Sequence, residues 1–303
     1  KSSRFRGKTT REVLGMDNVT PMSVTRAYRI VSHLSTFFRW AHRHGYTPED
    51  ISTGLYAPKR RGIRKNEERD VYSQEDLEQM LNSPIFRGEE SLDRPENFWI
   101  PLIALYSGMR LSEVCQLFTN DIVNVTQSVD EKIPCFDVND REDKVLKNPS
   151  SRRIIPIHPD LIKIGFLDYV TAVKEKGLPR LWMHLTRRED SYGKQFSSYF
   201  QRFNRKFITD NPKKVFHSFR HMFGNQLKQA GVRTEIISEF LGHIHGSISL
   251  DRYSRAFNPG ILLNSIKEVK FGLPVNQLAE VASCFLKLIG SGGLFQVETE
   301  IPL

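Results

Sequence analysis

A chain of 303 residues is longer than one ordinary hydrophobic core requires and predicts two domains. Its 39% hydrophobic and 26% charged residues contain no apolar run near the roughly 18 residues that span a bilayer and no signal-peptide pattern, which excludes a helical membrane protein. The net charge of +9 is uneven: residues 1–68 carry 14 Lys or Arg against 6 Asp or Glu, while the remainder is nearly neutral, the pattern of a polyanion-gripping module joined to something with another task.

Residues 1–65 form the expected first domain. It begins at Lys1 rather than Met, and residues 1–20 lack periodicity, so we read this domain as N-terminally incomplete. Over 22–44 the apolar residues Val24, Tyr28, Val31, Leu34, Phe37, Phe38 and Ala41 recur every three or four positions, which predicts an amphipathic helix with Arg26, Arg29 and Arg43 available to its other faces. The stretch Ala57-Pro-Lys-Arg-Arg-Gly-Ile-Arg-Lys-Asn66 then reads as a basic linker. Its Lys59, Arg60, Arg61, Arg64 and Lys65 are candidates to lie along a phosphate backbone, although a charge run is more often only solvated.

The second domain, 66–258, opens on a helix capped by Ser73, with Glu75 and Asp76 in its first turn, running to Leu81. A mostly apolar helix over 97–107 is ended by Gly108, and strands follow at 133–138 and 151–158. Beyond Pro159 the pattern is helical, over about 159–171, 194–208, 216–230, 234–242 and 246–256. The expected class is therefore mainly α with a small antiparallel sheet inserted early. Cys115, Cys135 and Cys284 form no CxxC pair and point to a reducing cytosol without disulfides.

Three segments could carry chemistry. In Tyr106-Ser-Gly-Met-Arg-Leu-Ser-Glu-Val, Arg110 follows a helix-ending glycine, and Glu113 stands three residues on to orient it. A guanidinium there can offer two donors to phosphate oxygens, or simply form a structural Arg–Glu pair. In Phe216-His-Ser-Phe-Arg-His, His217 and Arg220 share a helical face beside an apolar stripe, an arrangement that can grip an oxyanion. His217 and His221 could instead face a zinc ion, but the intervening Glu of HExxH and a third ligand are missing. Leu241-Gly-His-Ile-His-Gly246 supplies His243 and His245, and Tyr253 follows among basic neighbours that would help a phenol ionise.

Taken in order, SGMRLSEV, a lysine in a β-hairpin, HSFRH, LGHIHG and a tyrosine resemble the signature of the tyrosine recombinases, the phage integrase family. The resemblance spans about 71–256 and, more loosely, 22–58, which is similar to the family's SAM-like core-binding domain. It implies a C-shaped DNA clamp of core-binding and catalytic domains, with a tail, 259–303, that packs in cis or is exchanged between protomers. Carried over, Arg110, Lys147, His217, Arg220 and His243 are the catalytic set, Glu113 supports it, and Tyr253 is the nucleophile. Lys147 fits the hairpin position by its spacing to 153–157, with Lys144 as the fallback. Asn148-Pro149 follows where the family often has Thr, and His245 has no family role.

The implied activity is site-specific DNA recombination through a 3′-phosphotyrosyl bond, with no metal, cofactor or ATP. The implied partners are a double-stranded DNA recombination site, three further copies in a tetramer and an accessory directionality protein, in the cytoplasm at the nucleoid. Rival readings are a type IB topoisomerase-like enzyme, a catalytically silent DNA-binding protein on the same scaffold, and a zinc hydrolase.

Overall fold

The computed structural model describes residues 5–17, 19, 22–55, 70–128, 131–187, 191–243 and 256–292. The chain divides into two compact units, Lys1–Glu68 and Arg69–Leu303. In the first unit Thr9 caps α1 (Thr10–Leu14) in a capping box with Glu12. α2 (Val24–Arg43) begins where Ser23 Oγ accepts the Arg26 N–H, so the expected helix is present. Most of its apolar stripe is exposed or half-buried. Phe37 and Trp40 are 56% and 48% exposed, and among the described residues of this unit only Ala41 and Ser52 are buried. Trp40 instead covers part of its surface against Tyr46, with ring centroids 5.4 Å apart, and against His44 at 4.8 Å. Periodicity reports that a helix has an apolar face; it does not report what covers that face.

The second unit is built around α4 (Pro95–Ser107), all 13 residues of which are buried. It starts two residues before the expected point because proline suits the first helical position, where no N–H is needed. Before it, α3 (Gln74–Leu81) has the anticipated Ser73 cap, with the Asp76 carboxylate accepting the Ser73 N–H at 2.6 Å. After it come α5 (Leu111–Cys115) and the antiparallel sheet of β1 (Ile122–Thr126), β2 (Lys132–Val138) and β3 (Arg153–Pro156), in that order. β1 has no counterpart in the expected elements. Its five residues are only half-buried or exposed, and carry too little alternation to stand out.

The expected helix over 159–171 is two helices, α6 (Pro159–Ile164) and α7 (Phe166–Glu175), separated by Gly165 with a left-handed φ of 101°. α8 (Gly193–Phe203) widens into a π-turn, Asn204–Ile208, before α9 (His217–Gln229) and α10 (Thr234–Leu241). Most of the expected helix over 246–256 lies outside the described residues. α11 (Pro259–Ile266) and α12 (Val275–Ser291) complete the unit. α12 buries Leu278, Val281, Ala282, Phe285 and Ile289, packing on α6 and α7 with Phe285 5.3 Å from Phe98. The three cysteines are free. Among the described residues no helix is long and apolar enough to cross a membrane.

Candidate active site

The end of α4 sets the site. Gly108 has a left-handed φ of 66°, and a Cβ there would lie 2.5 Å from Phe223 Cδ1 of α9, so only glycine turns the chain here with α9 packed against it. The turn delivers Arg110 to the N-cap of α5. Glu113 holds Arg110 twice, accepting its N–H at 2.9 Å and its Nη1 at 2.6 Å. Glu113 is buried and takes a third bond from Arg153 Nη2 at 2.8 Å. Burial works against its charge, but the guanidiniums of Arg153 and Arg110 outweigh burial and hold the carboxyl below the usual range.

Three arginines from distant segments then converge on the end of α10. The last carbonyls of a helix lack partners within it and sit at the negative end of its dipole. Here Phe240 O accepts from Arg153 Nε at 2.7 Å, Leu241 O accepts from Arg220 Nη2, and Arg110 Nη2 reaches Gly242 O more loosely at 3.5 Å. Arg220 also donates through Nη1 to Gly108 O at 2.7 Å, so the glycine turn that aims Arg110 anchors Arg220 as well. Burial, and then the charges of Arg110 and Arg153, pull the Arg220 guanidinium down to about 9, and it remains charged at neutral pH.

His243 follows directly, with Nε2 3.1 Å from Arg220 Nη2. A guanidinium can only donate, so Nε2 accepts and the ring proton resides on Nδ1. Partial burial, then the charges of Arg220, Arg110 and Arg153, hold the imidazole down at about 4, so it is neutral at pH 7. His217, the first residue of α9, lines a hollow of about 430 Å³ together with Arg220, His221 and His243. The His217 and His221 rings meet edge to face at 4.8 Å. Among the described residues no group of three His, Cys, Asp or Glu could hold a metal ion.

Lys147 is exposed on the connection between β2 and β3. Lys144 is buried, and its ammonium is committed to both Asp121 oxygens, at 2.7 and 2.8 Å. Tyr253 and His245, with Lys59, Arg60, Arg61, Arg64 and Lys65, lie outside the described residues. Arg153 and Ser151, which bonds Arg110 Nη1 through Oγ at 3.2 Å, are site residues that sequence reasoning passed over. One signal was present: a charged residue heading the otherwise apolar run Ile154-Ile155-Pro156-Ile157 has to find a buried partner.

Residues 74–258 match the family model described as the phage integrase family. No curated protein matches the chain. Among solved structures it is similar to the integrase from mycobacterium phage Brujita, at 16% identity over 86% of this chain and 79% of that one, with a TM-score of 0.44. It is similar to a lambda integrase(75-356) dimer bound to a COC' core site, at 20% identity over 78% and 76% of the two chains, with a TM-score of 0.48. It is also similar to XerA recombinase, at 19% identity over 80% and 74%, with a TM-score of 0.38.

Proposed function

The chain belongs to the phage integrase family, whose model matches more than half of it, and from that premise we propose that it is a site-specific DNA recombinase acting through a covalent bond between Tyr253 and a DNA 3′ phosphate. The observation that carries this reading is the convergence of Arg110, Arg153 and Arg220 on the last turn of α10. Among the described residues the carboxylate bonded to them is Glu113, so three guanidinium charges face one negative charge. Among the described residues these positive charges outnumber the carboxylate bonded to them, and a phosphodiester held by Arg110 and Arg220 would balance them.

The Tyr253 phenolate attacks phosphorus in line, so that its bond to phosphorus forms as the bond to the 5′ oxygen breaks. Lys147 gives its ammonium proton to that departing oxygen as general acid. Arg110 and Arg220 stabilise the charge that grows on the other phosphoryl oxygens, with His243 donating through Nδ1–H. His217 positions the phosphate or carries a proton away from the phenol. Glu113 keeps Arg110 aimed. A 5′-hydroxyl from another strand then attacks the phosphotyrosine, which restores a phosphodiester and the phenol. Bond energy is conserved, so no ATP is consumed.

Charge that a metal ion would supply comes here from arginines, and cleavage is expected to persist in chelator; abolition of activity by chelator would favour the zinc reading. The basic residues Lys59, Arg60, Arg61, Arg64 and Lys65 are assigned to the phosphate backbone. Exchange calls for a tetramer on two sites, and an accessory directionality protein is a further expected partner. Product analysis tests the reading: DNA carrying two sites should give recombinants. Relaxation of one-site DNA with no recombinants from two-site DNA would make the enzyme topoisomerase-like instead.

A further inference from the structure

We infer that Gln116 is a positioning residue that fixes Lys147 relative to Arg110, an inference that rests on the reading of Lys147 as general acid. Lys147 projects from the connection 139–152, and a lysine on a loop of that length transfers a proton poorly unless the backbone beneath it is held. The structure holds it on both sides. Upstream, the buried Gln116 amide pairs with both backbone groups of Val145: Nε2 donates to Val145 O at 3.2 Å, and Oε1 accepts the Val145 N–H at 3.1 Å. Downstream, Arg110 Nη1 donates to Ser151 Oγ at 3.2 Å. Only residues 146–150 span the interval, and Lys147 is two residues from the Gln116 clamp.

Gln116 is also the C-cap of α5, the helix whose N-cap is Arg110. One short helix thus carries the phosphate-gripping arginine at one end and the clamp on the lysine loop at the other, which sets the distance between them. The clamp is itself supported. Arg180 Nη1 reaches Gln116 O at 3.5 Å, its guanidinium lies 4.1 Å from the ring centroids of both Phe118 and Tyr192, and it pairs with Asp143. Asp121 gathers Lys144 and the Asn139 amide, the latter at 2.8 Å. These pairs hold the loop as far as residue 144. Of these contacts the Gln116 amide reaches furthest toward Lys147, at Val145, and Leu146 between them packs against the core.

The test uses a duplex that the wild-type protein cleaves and a counterpart in which sulfur replaces the scissile bridging 5′ oxygen. A thiol ionises near pH 8.5, so a thiolate leaves without being handed a proton, and the general acid becomes dispensable. Lys147→Ala should be slow on oxygen and restored on sulfur. Gln116→Leu should behave alike, roughly 10- to 100-fold slower than wild type on oxygen and within about twofold of it on sulfur. Arg220→Ala should be slow on both. If Gln116→Leu lowers the thermal midpoint sharply, Gln116→Glu, which keeps an acceptor for the Val145 N–H, takes its place in the same pair of measurements. Lys147→Ala unrestored by sulfur would overturn the general-acid reading and the inference with it. Lys147→Ala restored, with the Gln116 variant equally slow on both substrates or normal on both, would overturn the inference about Gln116 alone.

Discussion

The arginine cluster and the β2–β3 connection lie side by side and hold charged groups still by opposite means. Arg110, Arg153 and Arg220 are tied by their own side chains to Glu113 and to the carbonyls at the end of α10, and Arg153 and Arg220 are buried. Lys147 is exposed, and the chain beneath it is gripped at Val145 and Ser151. The arginines therefore belong to the core as much as to the site, whereas the lysine is separable from the fold. Electrostatic stabilisation works best when preorganised and dry, while a proton donor must reach a leaving group that arrives with the DNA.

The largest effect should fall on the separable side. Lys147→Ala should lose on the order of 100- to 10,000-fold in cleavage rate, the usual worth of a general acid, with an unchanged thermal midpoint. A lowered midpoint would break the comparison. Arg220→Ala should cost on the order of 100- to 1,000-fold in cleavage, as for an oxyanion donor. It should also lower stability by roughly 1–3 kcal/mol, because Gly108 O and Leu241 O lose their donor. Near-normal cleavage by that variant would contradict its assignment.

Lys144→Ala sharpens the contrast from three residues away. Its ammonium and the Asp121 carboxylate are both buried, and removing one member of such a pair costs about 3–5 kcal/mol. Calorimetry should show this loss, while the folded fraction still cleaves; an unchanged midpoint would mean that Asp121 is satisfied without Lys144.

The smallest effect concerns pH. The imidazole of His243 is held at about 4, below the ordinary value near 6.5, so the unfolded chain takes up the proton first as pH falls. The stability its neutral form contributes is complete above about pH 6.5 and drains as pH drops from there through 4. Nitrogen-15 NMR of the imidazole should show it neutral at pH 6 in the free protein, with its titration moving upward when a phosphodiester binds. A free-protein titration near 6.5 would mean that the arginines do not reach it.

Much of this was legible in the sequence because the relevant signals are local. Gly108 announces a helix end two residues before Arg110, and His217 and Arg220 share a face by spacing alone. The remainder depends on contacts between distant segments. Arg153 reads as a strand residue until α10 brings its carbonyls alongside, and Gln116 carries no signal of its own until Val145 arrives from 29 residues away. The stripe on α2 is legible as an apolar face, but its burial is decided by what packs on it, and no spacing encodes that. The split at Gly165 was missed although the glycine was visible, since a helix-period pattern continues on both sides of it.

The covalent bond at Tyr253 is the step on which the whole reaction depends, and covalent trapping reads it out. Nicked suicide duplexes drawn from the DNA flanking the protein's own gene would be incubated with it in chelator and resolved on a denaturing gel. A slow-moving DNA-linked band is expected with the wild-type chain and none with Tyr253→Phe, which should still shift the same duplexes on a native gel. A band that persists in Tyr253→Phe, or specific binding by the wild type with no band at all, would contradict it.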